Sequence, residues 1–125
     1  MREPIHTEHA PRAVGPYSQA IRVGAHVWVS GQIGLDPASG RLVDGGVEAE
    51  ARQALDNLAA VLQAAGSGMQ HVVRATVYLL DMGDFERVNA VYAERFAEDP
   101  PSRVCVQVAG LPKGARVEID ALAVS

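Results

Sequence analysis

Hydrophobic positions along this chain switch between two periods, and the switch divides it into elements. Through "SQAIRVGAHVWVSGQI" (18–33) apolar and polar residues alternate around Gly24-Ala25. A period of two with a glycine turn at its centre predicts a β-hairpin, with Gly31 stopping or bulging the second arm. "LDPASGRLVDGG" (35–46) is turn chemistry throughout. From Val47 to Ala65 the period lengthens, with Val47, Ala51, Ala54, Leu55, Leu58, Val61, Leu62 and Ala65 forming a helical stripe that Gly66 ends. Glu48, Glu50, Arg52, Gln53, Asp56 and Asn57 occupy the other side of that helix, which predicts burial of one side only. "HVVRATVYLL" (71–80) is rich in β-branched residues and predicts a strand of near-continuous burial. Phe85, Val88, Tyr92 and Phe96 then return to helical spacing, with Asp81 or Asp84 placed to cap the start. Strands over 103–109 and 115–124 close the chain, and a short one is expected near Ile5.

The pattern is written β-β-α-β-α-β, an α+β layer of one sheet with both helices on one face. The sheet's second face then becomes the open question. "RVCVQV" (103–108) sets Val104, Val106 and Val108 on one side, predicted to face the core. Arg103, Cys105 and Gln107 fall on the other side, where Trp28, His26 and Ser30 are expected to join them. Such a surface is too apolar for open water and too polar for an ordinary core. Another copy of the chain is the natural cover, with polar pockets at the seams.

At 125 residues the length suits one domain, 1–125. With only 5% aromatic residues, the core must rest on Val, Ala and Leu. The net charge is −4, and the eleven Lys and Arg residues are scattered. A nucleic-acid partner, which would call for a basic stripe, is therefore disfavoured. The amino terminus "MREPIHTEHAP" has no signal-peptide pattern, no apolar run is long enough to span a bilayer, and Cys105 is the only cysteine. These features point to the cytoplasm and away from a membrane.

Candidate chemistry is sparse. Cys105 invites a nucleophilic role, but no histidine stands at a recognisable partner spacing, so a buried, inert thiol is the expected state. His6, His9, His26 and His71 form neither HExxH nor a Cys/His cluster, so no metal site is expected. "GSG" at 66–68 follows a helix instead of opening one and reads as a stop signal, not a phosphate cradle. Read by position alone, Arg103 is either an anion clamp or a surface arginine at a strand start, and Glu118 in "VEID" is either a reacting carboxylate or an exposed one.

Four segments tip those alternatives. "GPYSQA" (15–20), "VSGQIGLDP" (29–37), "VYLLDMGDFERVNAVYAERF" (77–96) and "PSRVCVQVAGLPKGARVEIDALAV" (101–124) resemble the reactive-intermediate deaminase family (RidA, formerly YjgF), in order and at matching spacing. The resemblance implies a chorismate-mutase-like trimer with a central barrel, helices outside and clefts between subunits. It implies hydrolysis of short 2-imino or enamino acids to 2-oxo acids and ammonia, without a cofactor. Arg103 would clamp the substrate carboxylate through paired hydrogen bonds, and Glu118 would handle the attacking water. Tyr17 would reach in from an adjoining subunit, while Ser30, Gly31, Asn89 and the Cys105 backbone shape the cleft. Asp120, two residues beyond Glu118, fits an ordinary exposed carboxylate.

Two features depart from the family's pattern: Gly110 replaces a basic residue before "LP", and the 97–102 link "AEDPPS" is short. Both bear on substrate size. The competing functions are a small 2-oxo-acid binding trimer that needs Arg103 but not Glu118, and an endoribonuclease or translation inhibitor, which the acidic balance disfavours.

Overall fold

A computed structural model describes residues 1–125. In chain order the elements are β1 (Arg2–Ile5), β2 (Ala20–Val23), β3 (His26–Gln32), α1 (Gly46–Ala64), β4 (Val72–Leu79), α2 (Phe85–Arg95), β5 (Ser102–Gln107) and β6 (Val117–Val124). Short 3-10 turns at Met69–His71, Met82–Asp84 and Pro112–Gly114 precede β4, α2 and β6. The six strands form one mixed sheet in the order β1-β2-β3-β6-β4-β5. Only β4 and β5 run parallel, with α2 as the crossover between them. The expected short strand near Ile5 and both closing strands are present, so the sheet has six strands where the β-β-α-β-α-β pattern wrote four.

The hairpin turns where expected, at Gly24 with its positive φ of 58°. A register shift between Val29 and Gln32 marks the bulge at Gly31. α1 ends before Gly66, whose φ is 81°. Asp81, not Asp84, does the capping, and it caps the 3-10 turn by accepting the Gly83 N–H at 2.8 Å. Asp84 makes no cap bond to α2 and instead pairs with Arg87.

Both helices lie on one face of the sheet. Leu55, Leu58, Val61 and Leu62 of α1 and Val88, Val91 and Tyr92 of α2 share a core with Ala75, Val77 and Leu79 of β4. From β6 the same core takes Val117, Ile119, Ala121 and Ala123. β4 is buried by alternation, not continuously: Ala75, Val77 and Leu79 are inside, while Thr76 and Tyr78 point to the open face.

The phase of β5 is the reverse of the one expected. Arg103 and Cys105 pair in register with Ala75 and Val77, so they face the helices. Val104 and Val106 pair with Thr76 and Tyr78 on the open face, where they are 37% and 38% exposed. Trp28, 54% exposed, lies on that open face as expected. Arg103 and Cys105 do not.

α1 departs from one-sided burial. Glu50 and Asn57 are each only 1% exposed. The segment after β3 and the start of β6 wrap over this flank of the helix. Asn57 donates to the carbonyls of Ile33 and Leu35 at 3.1 and 2.9 Å, and Glu50 accepts the Arg116 backbone N–H and its guanidinium, both at 2.8 Å. Gly34 lets the wrap close, because a Cβ there would lie 2.7 Å from the Glu50 Cα.

Candidate functional site

Arg103 emerges from β5 beneath α2. Phe85, Asn89 and Tyr92 sit at helical spacing on the side of α2 that meets it. One guanidinium nitrogen donates to the Asn89 side-chain oxygen at 2.8 Å. The guanidinium carbon lies 4.8 Å from the Tyr92 ring centroid and 5.6 Å from that of Phe85. Stacking on aromatic faces orients a planar cation and leaves its edge donors available. No carboxylate of the chain pairs with Arg103; the four ion pairs involve Arg52, Arg87, Arg95 and Arg116. Beneath it the Tyr92 hydroxyl is buried without a hydrogen-bond partner.

Cys105, two residues along the same face, is half-buried and packs against the core. Burial pushes its thiol pKa up, against a smaller downward pull from Arg103. A raised pKa holds sulfur as the neutral thiol, the unreactive state.

Glu118 projects from β6 onto the open face, in register with Tyr78. Its carboxylate lies over Gly31, where a Cβ would come 2.1 Å from Glu118 Oε2. The missing side chain therefore makes room for the chain's own carboxylate. Burial holds the Glu118 pKa above the ordinary carboxylate value, and Asp120 on the same face raises it further. No arginine of the same chain counteracts these effects. Asp120 is no idle surface residue, since it accepts the Tyr78 hydroxyl at 2.9 Å.

A hollow of about 80 Å³ beside Glu118 is lined also by Tyr17, Gly31, Arg12 and Lys113. Tyr17 is held by a tight turn, its N–H donating to the Gly15 carbonyl at 2.8 Å. Ser30, next to Gly31, fastens the wall through its hydroxyl and N–H, which bond the carbonyls of Ser18 and Gln19 at 2.6 and 2.9 Å.

The expected residues thus fall into two groups. Arg103, Asn89 and Cys105 lie on the helix side of the sheet, and Glu118, Tyr17, Gly31 and Ser30 around the hollow on the other. β4 runs between β5 and β6, so the sheet itself separates Arg103 from Glu118. Tyr17 stands with Glu118, not across from it. Gly110 lines neither group, and the 97–102 link instead borders a groove with Met69 and Gln70.

Several supporting residues escaped the sequence pattern. Gln19 is buried and ties down the loop that carries Arg12 and Tyr17: its side chain donates to the Thr7 and Pro11 carbonyls at 3.0 and 2.8 Å and accepts the Thr7 N–H at 2.7 Å. Glu50 and Asn57 brace the segments on either side of Glu118. Their only signal was polarity on a helix, which periodicity assigns to solvent. No three His, Cys, Asp or Glu side chains converge to hold a metal ion, and no helix is long and apolar enough to cross a membrane.

Chemically, one group can orient a small carboxylate and the other can accept a proton from water. Comparison with known proteins adds relatives to this geometry. The profile of the family described as Endoribonuclease L-PSP matches residues 7–125. A 2-iminobutanoate/2-iminopropanoate deaminase of Bos taurus is 54% identical over 124 residues, covering 99% of this chain and 90% of that protein. The Homo sapiens protein of the same name is 51% identical with the same coverage. Among solved structures, a putative endoribonuclease from Thermotoga maritima superposes with a TM-score of 0.97 at 45% identity, covering 100% of this chain and 98% of that one. E. coli TdcF with bound serine gives 0.94 at 40% identity, with 98% of each chain covered.

Proposed function

This chain belongs to the Endoribonuclease L-PSP family, which takes in the reactive-intermediate deaminases, and from that premise we propose that it hydrolyses short 2-imino and enamino acids. The substrates would be 2-aminoacrylate, 2-iminobutanoate and their like, and the products the 2-oxo acid and ammonia. The observation that carries the reading is the Arg103 guanidinium, seated on Tyr92, bonded to Asn89 and free of any acidic partner. A cation so placed lacks only a carboxylate.

The site would be assembled from two copies of the chain in a homotrimer. Arg103, Asn89 and the Cys105 backbone of one copy would meet Glu118, Tyr17, Ser30 and Gly31 of the next. The exposed Trp28, Val104 and Val106 would line a central barrel, covered there by the neighbouring copies. With the carboxylate held, water adds to the C=N carbon while Glu118 accepts its proton. The tetrahedral carbinolamine carries hydroxyl and amine on one carbon. The proton Glu118 took from water is the one the nitrogen gains in becoming that amine. The hydroxyl's proton then passes through Glu118 to the amine, the C–N bond breaks, ammonia leaves, and the oxygen is left as the carbonyl. The raised pKa of Glu118 suits a group that must both take and return a proton near neutrality. No cofactor enters the scheme. The serine bound to TdcF, a relative of the same fold, supports a ligand of amino-acid size.

The test is ammonia release from enzymatically generated 2-aminoacrylate. Arg103→Ala should lower kcat/KM by at least about 100-fold, the loss of a charge-assisted bidentate contact. Equal rates for wild type and variant would remove the deaminase reading. Binding of 2-oxobutanoate that persists in a Glu118→Ala variant, with no turnover by the wild type, would favour the non-catalytic alternative.

A further inference from the structure

The hollow beside Glu118 does not end at the residues the proposed reaction uses. It continues outward into a groove of about 410 Å³, and Arg12, Lys113, Val14 and Leu35 line both spaces. Pro37, Ala38 and Ser39 form the outer floor, and no acidic residue lines the groove. Asp36, the nearest acid in sequence, is engaged at 2.9 Å by the Ala38 N–H. Arg12 and Lys113 thus stand together in a chain whose net charge is −4. Neither takes part in any of the ion pairs that occupy Arg52, Arg87, Arg95 and Arg116.

Their backbones are held even though their side chains are exposed. Arg12 follows Pro11, whose carbonyl is pinned by the buried Gln19 side chain at 2.8 Å. Lys113 sits inside the Pro112–Gly114 turn at a φ of 56°, a left-handed conformation that non-glycine residues seldom adopt. A lysine at such a position, lining a groove with a second unpaired cation and no acid, is arranged for an anion.

We propose that Arg12 and Lys113 form a second anion subsite at the outer end of the Glu118 hollow, which favours 2-imino acids that carry a further carboxylate on their side chain, and the matching 2-oxo dicarboxylates. The proposal rests on the reading of this hollow as the substrate's site. Arg103 of the neighbouring copy would take the carboxylate next to the reacting carbon, and the groove cations the distal one. Monocarboxylate substrates would leave the groove to water. The selectivity would be moderate, because each contact is an ion pair open to solvent, and it would fade as salt screens it.

The experiment compares binding of 2-oxoglutarate and 2-oxobutanoate by calorimetry, with the full-length wild type and an Arg12→Ala/Lys113→Ala variant, at low and at high salt. At low salt the wild type should bind 2-oxoglutarate about three- to tenfold more tightly, the effect of two exposed ion pairs. The double variant should lose that preference, and Arg12→Lys/Lys113→Arg, which keeps both charges, should retain it. Equal affinities in the wild type, failure of the wild type to bind 2-oxoglutarate, or a preference that survives the double alanine substitution would each overturn the subsite. Absence of ammonia release from 2-aminoacrylate would instead count against the deaminase reading and leave the binding comparison standing.

Discussion

Glu118 is where residue-level chemistry decides most. Burial raises its pKa above the ordinary 4.5, and the neighbouring Asp120 raises it further. Ionisation therefore works against the fold as pH rises through the folded value, and the contribution to stability is complete only below the unfolded value. For catalysis the sign is opposite, because only the ionised carboxylate can accept a proton from water. The acid limb of kcat/KM should accordingly report Glu118, with burial and Asp120 raising it and, across the proposed junction, the neighbouring copy's Arg103 lowering it. Asp120→Asn should move that limb to lower pH by removing the smaller of the two raising causes. A pH–rate profile checks this; a limb that stays put in Asp120→Asn would contradict the assignment of the limb to Glu118. The motif "VEID" made Glu118 legible in the sequence, but not the repulsion from Asp120. That depends on two side chains projecting from one sheet face, one of which is tied to Tyr78.

At the scale of elements, sequence periodicity worked where a single surface decides burial and failed where two do. The hairpin, both helices and the closing strands were legible, because Gly24, Gly31 and Gly66 punctuate them and the apolar periods are clean. β5 was read in the wrong phase for a physical reason. Its core side carries Arg103 and Cys105 and its open side carries valines, so hydrophobic alternation alone points the wrong way. An apolar open face is what a strand needs if a second copy is to cover it. α1 misled in the other direction: Glu50 and Asn57 are polar yet buried, because loops wrap the helix flank and bring them backbone partners. Glu50→Ala would strip the Arg116 N–H of its acceptor. The expected loss is about 1–3 kcal/mol, the range for an unsatisfied buried group and not that of a broken buried ion pair, because the Arg116 guanidinium can turn to water. The midpoint of a urea titration should fall with its slope unchanged. An unaltered midpoint would show that the Glu50 clamp does not hold the approach to Glu118.

For the whole molecule, the decisive feature is that one sheet keeps Arg103 and Glu118, the proposed carboxylate clamp and proton acceptor, on opposite faces. Neither group can serve a substrate of a few carbon atoms alone, so the proposed chemistry requires another copy of the chain. The exposed Trp28, Val104 and Val106 supply an apolar face for that association. The requirement was only half legible in the sequence. The sequence suggested an oligomer from the mixed polarity assigned to the second face, but that assignment put Arg103 and Cys105 on the wrong side, because strand phase is set by tertiary packing. Mixing inactive subunits tests this account most directly. Arg103→Ala and Glu118→Ala proteins, each inactive alone, are unfolded together and refolded as mixed trimers. Random reassembly leaves one intact junction in each mixed trimer, so about one quarter of wild-type ammonia release should return. No recovery in verified mixed trimers would contradict a site shared between copies.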